Sequence, residues 1–154
     1  MKSVMPIEFM TSNRAISPTS RKVVNIGLWV LQILLAAMFL FHGWILVFPP
    51  AELVAIMNAQ FSTWFRLFVG VTESLGALGL LLPGITRIWT GLTSWAGVGL
   101  MIVAISASVL HASRGETSSA ITTAVLCVLL AFVTYMRWKV KPILSHNILS
   151  HNNA

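Results

Sequence analysis

Charge is scarce in this chain: Asp, Glu, Lys and Arg make up 9% of its 154 residues, against roughly 25% in soluble domains, while 56% of the residues are hydrophobic. That balance excludes an ordinary soluble globular protein. Cysteine is nearly absent as well. The single Cys127 rules out an internal disulfide framework, a CxxC redox pair and a cysteine zinc motif. With 10 glycines and 6 prolines, a collagen-like or linker-type chain is excluded too. No glycine-rich phosphate loop and no Ser-His-Asp arrangement can be placed. Acids number four against ten Lys and Arg, a net charge of +6. In a soluble protein that surplus suggests nucleic acid; in a membrane protein it sets topology, so no nucleic-acid partner is expected.

Long apolar runs stand where charge is missing. A helix crossing about 30 Å of hydrocarbon needs roughly 20 apolar residues, and four runs approach or exceed that, over 23–48, 65–82, 88–110 and 120–138. The second and fourth are short, and each spans if Arg66 or Arg137 extends its charged head to the interface. The first follows the basic pair Arg21-Lys22, yet it is too long for a signal-peptide core and no A-x-A site follows, so it reads as a retained helix. Short connections at 83–87 and 112–119 force antiparallel neighbours. The expected fold is all-α, a four-helix up-down-up-down bundle embedded in a lipid bilayer.

The chain then divides into a polar, disordered tail over 1–22, a four-helix transmembrane domain over 23–139, and a second tail over 140–154. The last of these repeats Ile-Leu-Ser-His-Asn at 143–147 and 148–152. His146 and His151, five residues apart, fall on different faces of a helix and opposite faces of a strand, which argues against a metal pair. Between the first two spans, Pro49-Pro50 ends a helix, and Leu53, Ile56 and Met57 share a face of a short amphipathic helix or belong to an apolar loop.

Lys2, Arg14, Arg21, Lys22, Arg87, Arg137, Lys139 and Lys141 fall on one side of such a bundle, and only Arg66 and Arg114 on the other. The positive-inside rule therefore places both termini in the cytoplasm of a multi-pass cell-membrane protein. Trp44 and Trp64 mark the outer boundary and Trp89, Tyr135 and Trp138 the inner one, whereas Trp29 and Trp95 sit deeper as packing residues.

Ionisable groups inside the spans need a reason, because lipid makes them costly. Glu73 lies seven residues after Arg66, about 10 Å deeper on a helix. Its helical neighbours Gly70, Gly76 and Ala77 make a small-residue face that packs against another helix, so Glu73 points into the bundle. His42 sits about two turns below the outer end of the first span, and His111 ends the small-residue face Gly97, Ala104, Ala107, Ser108 of the third. Together Glu73, His42 and His111 form a candidate polar pocket in the outer half, with Arg66, Arg114 and Glu116 at its rim. Such a pocket could relay protons, bind a quinone head group or hold a small anion. The competing structural reading has Glu73 pair with Arg66 or a histidine to set helix register, while Arg114 anchors and Glu116 starts the fourth helix. Two imidazoles and a carboxylate could hold a metal, but no local H-x-x-x-H spacing supports it, and none is expected. Cys127 reads as a small packing residue.

The string Phe39-Leu40-Phe41-His42-Gly43-Trp44, the segment from Gly70 through Glu73-Ser74-Leu75-Gly76-Ala77-Leu78-Gly79-Leu80 to Pro83, and His111-Ala112-Ser113-Arg114-Gly115-Glu116 resemble the DoxX-like family of small membrane proteins. The likeness runs from about Asn25 to Lys139, and its most specific part is the Glu-x-x-Gly-Ala-x-Gly-Leu pattern from Glu73 to Leu80. It implies a four-helix membrane bundle. It also implies association with oxidoreductase systems, since the family is named for its likeness to a subunit of a thiosulfate–quinone oxidoreductase and some members are linked to complexes handling thiol stress. On that implication the chain is an accessory subunit, with quinone as the cofactor it meets and other oxidoreductase subunits as partners. The alternative is a non-catalytic membrane scaffold. A small transporter or channel is disfavoured, because four helices leave a narrow path and neither half contains a clearly broken helix.

Overall fold

A computed structural model describes residues 18–140 and 143. The tail residues beyond these, His146 and His151 among them, lie outside the described residues. Five α-helices follow in order: α1 Pro18–Val47, α2 Ala51–Gln60, α3 Thr63–Thr86, α4 Leu92–Ser113 and α5 Thr117–Tyr135, the last running into a π-helical turn at Met136–Val140. No strand occurs among the described residues. Four segments are long and apolar enough to cross a membrane: Lys22–Val47, Thr63–Thr86, Leu92–Ser113 and Thr117–Val140. The shortest, at 22 residues, extends about 33 Å at 1.5 Å per residue, which covers the hydrocarbon layer.

α1 packs against α3, α3 against α4, α4 against α5, and α5 returns to α1. That closed ring of antiparallel neighbours is the up-down-up-down bundle. Its core is Leu35, Phe39, Leu80, Leu100, Leu130 and Val133 with the small residues Ala36, Ala77 and Ala104 between them. At most 33% of any span is buried inside the protein. The outward remainder is apolar, with Ile33, Phe68, Leu75, Ile102 and Val128 all more than half exposed, as a surface solvated by lipid requires. The bundle has two distinguishable ends. At the termini end α1 and α4 begin and α3 and α5 finish; at the loop end lie α2 and the connection from α4 to α5.

Several local features depart from expectation. Pro83, expected in the loop after the second span, lies inside α3, which continues to Thr86. Proline removes a backbone donor and crowds the preceding turn, and a neighbouring helix can re-satisfy the loosened carbonyls. The carbonyl left without its helical donor is that of Gly79, and the same turn is held from α1 by Gln32, whose Nε2 donates to the adjacent Leu80 carbonyl at 2.9 Å. Arg87 then ends the helix in the left-handed region with φ 57°. The segment 51–60 is helical, and none of its residues is buried by protein. Its apolar residues Leu53 and Ile56 are exposed, as a helix lying on a membrane surface would have them. Trp95, expected deep, is 63% exposed and pairs with Trp138 at the termini end, ring centroids 5.7 Å apart.

Candidate functional site

At the loop end, α1 and α3 touch backbone to backbone. A Cβ added to Gly43 would lie 2.7 Å from the Gly70 carbonyl oxygen and 2.6 Å from Ser74 Oγ, and one added to Gly70 would lie 2.9 Å from the Gly43 carbonyl. Only glycine permits that approach. His42 precedes one of these glycines and Glu73 follows the other by about one turn, so the crossing sets the two ionisable residues face to face. Nδ1 of His42 donates to Oε2 of Glu73 at 2.6 Å. An ionised carboxylate only accepts, so beside a charged Glu73 the His42 ring carries a proton on Nδ1. The Glu73 side chain is 5% exposed and the His42 side chain 60% exposed. The acid thus sits inside the bundle and the imidazole carries its hydrogen bonding to the outer surface.

His111 goes elsewhere. Its Nδ1 bonds Oε2 of Glu116 across the tight turn between α4 and α5, where Gly115 takes φ 74°. Glu116 occupies the N-cap position of α5 yet makes no side-chain cap bond; the carboxylate is spent on His111 instead. The structure therefore sorts four of the expected pocket residues into two pairs, and among the described residues no hydrogen bond or ion pair joins one pair to the other. No three His, Cys, Asp or Glu side chains among the described residues cluster as metal ligands would, so His42, His111 and Glu73 are not assembled as a metal set.

The two cations placed at the rim also have partners. Arg66 was expected to reach the interface, but it is buried, 7% exposed, with Nη1 donating to the Leu46 carbonyl at the C-terminal end of α1. That end carries the negative pole of the helix, which suits a guanidinium. Arg114 donates to the side chain and backbone of Gln60 at 3.3 and 3.2 Å and lies 4.6 Å over the Phe61 ring, tying the end of α4 to the end of α2. Ser108 Oγ and Thr123 Oγ1 bond at 2.8 Å below the His111 turn, joining α4 to α5. Because His111 and Glu116 are both partly exposed, their bond contributes little. Glu116→Gln is expected to change unfolding free energy by less than about 1 kcal/mol, read as a nearly unmoved thermal transition in detergent.

A second polar cluster, at the termini end, was not found from sequence. Arg137, expected to snorkel, is 4% exposed: Nε donates to Oε1 of Gln32, Nη1 donates to Oδ1 of Asn25 at 2.7 Å, and the guanidinium lies 5.2 Å from the Trp29 ring. Gln32 is fully buried, 0% exposed. Its amide orientation is set on both sides, since arginine can only donate and the Leu80 carbonyl only accepts. Gln32 carries no charge, yet an amide in the middle of the run Val30-Leu31-Gln32-Ile33-Leu34 is itself costly in lipid, and that cost is the signal the sequence offers for it.

A profile of the DoxX-like family matches residues 30–133, which takes in most of α1 through most of α5 and includes both His-Glu pairs. The chain belongs to the DoxX-like family, and it is a multi-pass membrane protein with four spanning helices. No curated protein and no solved structure matches it.

Proposed function

We propose that this DoxX-like protein is a membrane subunit of a quinone-linked or thiol-stress oxidoreductase system, in which His42 and Glu73 handle protons for a bound quinone. The observation that carries this reading is the polarity of the pair: a carboxylate enclosed between α1 and α3 holds an imidazole that is mostly exposed on the surface of the bundle. Intramembrane acids are expensive, and a buried one bonded to an outward imidazole is suited to passing a proton rather than to packing alone. Each quinone carbonyl that becomes a hydroxyl takes up one proton with one electron. As the imidazolium, His42 donates from its second ring nitrogen to such a carbonyl and gives up that proton, while the Glu73 carboxylate holds the ring through Nδ1–H; solvent at the exposed face of the ring then restores the proton. Electrons come from partner subunits of the same membrane system.

His111, Glu116, Arg114 and Arg66 complete the polar loop end around this pair. The charge asymmetry of the sequence supports placing that end in the outer half of a cell membrane, with both termini in the cytoplasm. A second reading, a non-catalytic scaffold, is favoured for the rim, where Arg114–Gln60 and His111–Glu116 tie helix ends together. The two readings separate at Glu73. With the protein purified in native lipid, a short-chain benzoquinone should bind wild type saturably and Glu73→Gln at least ten-fold more weakly. Equal binding by both, or none by either, removes the quinone role.

A further inference from the structure

The termini end holds a half-open cavity beside the buried Arg137. It measures about 190 Å³ and is lined by Thr90, Gly91, Ser94 and Trp95 at the start of α4, by Arg137 and Trp138 of the π-helical turn, and by Ile143. Ligand pockets for drug-sized molecules run to roughly 300–1,000 Å³, so this one fits a single small group.

Its chemistry is cationic. Arg137 is 4% exposed, and all three described acids lie elsewhere: Glu52 on α2, Glu73 bonded to His42 and Glu116 bonded to His111. A guanidinium enclosed without a counter-charge is strongly unfavourable. Neutral amides take Nε and Nη1, and Nη2 is buried without a hydrogen-bond partner. Two more buried side-chain oxygens of the same end are also unpartnered, Thr93 Oγ1 and Thr134 Oγ1, but neither residue lines the cavity, and Thr134 Oγ1 faces Gly97 in the contact between α4 and α5. Three of the four orphaned buried polar side-chain atoms among the described residues thus gather at this end. Native interiors satisfy such atoms, and an uncompensated guanidinium with one unspent nitrogen in a cavity wall calls for an anionic oxygen acceptor. The first turn of α4, a 22-residue helix, also borders the cavity and adds its positive pole, with the Leu92 and Ser94 amides already donating to the Trp89 and Gly91 carbonyls. The π-helical turn that brings Arg137 inward is itself a distortion common at functional sites.

We propose that this cavity binds a phosphate monoester group, anchored by the Arg137 guanidinium and received by the start of α4. Asn25, Gln32 and Trp29 hold the guanidinium in one orientation, so little ordering remains to be done on binding. The exposed Trp95 and Trp138 rings beside the opening suit a lipid-borne phosphate, and free phosphate shares the same chemistry.

The full chain in mild detergent tests this with two probes: phosphatidic acid against phosphatidylcholine by native mass spectrometry, and radiolabelled inorganic phosphate by equilibrium dialysis. Expected is one-to-one binding of phosphatidic acid in preference to phosphatidylcholine, whose choline group overfills the cavity, with at least a ten-fold loss in both Arg137→Gln and Ser94→Leu. Binding of phosphatidic acid alone identifies a lipid source; saturable binding of inorganic phosphate with the same variant losses shows that the anion suffices. Should Arg137→Gln fail to fold, Ser94→Leu decides, because it fills the cavity while leaving Asn25, Gln32 and Trp29 in place. No binding of either probe, binding that Ser94→Leu leaves unchanged, or equal retention of both lipids would overturn the proposal.

Discussion

Gly43→Ala is expected to lower the unfolding free energy by about 1–3 kcal/mol, the usual range for overpacking a tight contact, and to part His42 from Glu73. The added methyl would meet the Gly70 carbonyl oxygen at 2.7 Å, and that atom belongs to the backbone of α3, which cannot swing aside as a side chain would. Ser74 Oγ, the other atom in the way at 2.6 Å, is tied to the same carbonyl by a 2.8 Å bond. The two helices must therefore move apart. A bond of 2.6 Å between their side chains does not survive a separation of that size unaltered. Thermal unfolding in detergent measures the stability loss. A cross-link between cysteines introduced at neighbouring positions of α1 and α3 measures the separation. Gly27→Ala is the matched control: nothing lies within 4 Å of a Cβ at that position of α1, and no loss is expected there.

Gln32→Leu is expected to destabilise the bundle by about 3 kcal/mol although it replaces a polar residue by an apolar one inside an apolar helix. The change strips Arg137 of its Nε acceptor and the Leu80 carbonyl of its donor in one step, leaving a guanidinium held only by Asn25 and the Trp29 ring. Ile33→Leu, next in sequence but 51% exposed toward lipid, should cost almost nothing. Comparing the two by thermal unfolding separates the network from general effects of altering α1. If Gln32→Leu proves as mild as Ile33→Leu, the amide does not support Arg137 in the membrane.

The four spans were legible because twenty apolar residues in a row have few other fates. Glu73 was legible for the converse reason, as the one acid deep within a span, and His42 followed from its depth on the neighbouring helix. Their pairing was not legible. It depends on the contact between Gly43 and Gly70, and glycines sharing a helix with many other small residues do not announce which of them meet. His111 illustrates the limit. Depth alone grouped it with His42, whereas a five-residue reach to Glu116 across a tight turn outweighs any longer connection. Arg66 and Arg137 were read as snorkelling side chains because they sit near span ends. The structure buries both, since the C-terminal carbonyl of α1 and the amides of Asn25 and Gln32 offer acceptors that a count of charges along one segment does not reveal. Pro83 misled in the same way: α3 continues past it, and the turn before it is held by a side chain of α1, Gln32, 48 residues from the Leu80 carbonyl it bonds.

The central claim is that Glu73 and His42 act together in the membrane system that the protein serves, beyond holding α1 to α3. The most direct measurement is quinone-reducing activity in membranes where the native chain is replaced by Glu73→Gln or His42→Ala, divided by the amount of folded protein present. The account predicts that activity per molecule falls at least ten-fold in both variants while the protein remains inserted and abundant. Activity that simply tracks protein abundance would contradict it, and would leave the pair as a fastening between two helices.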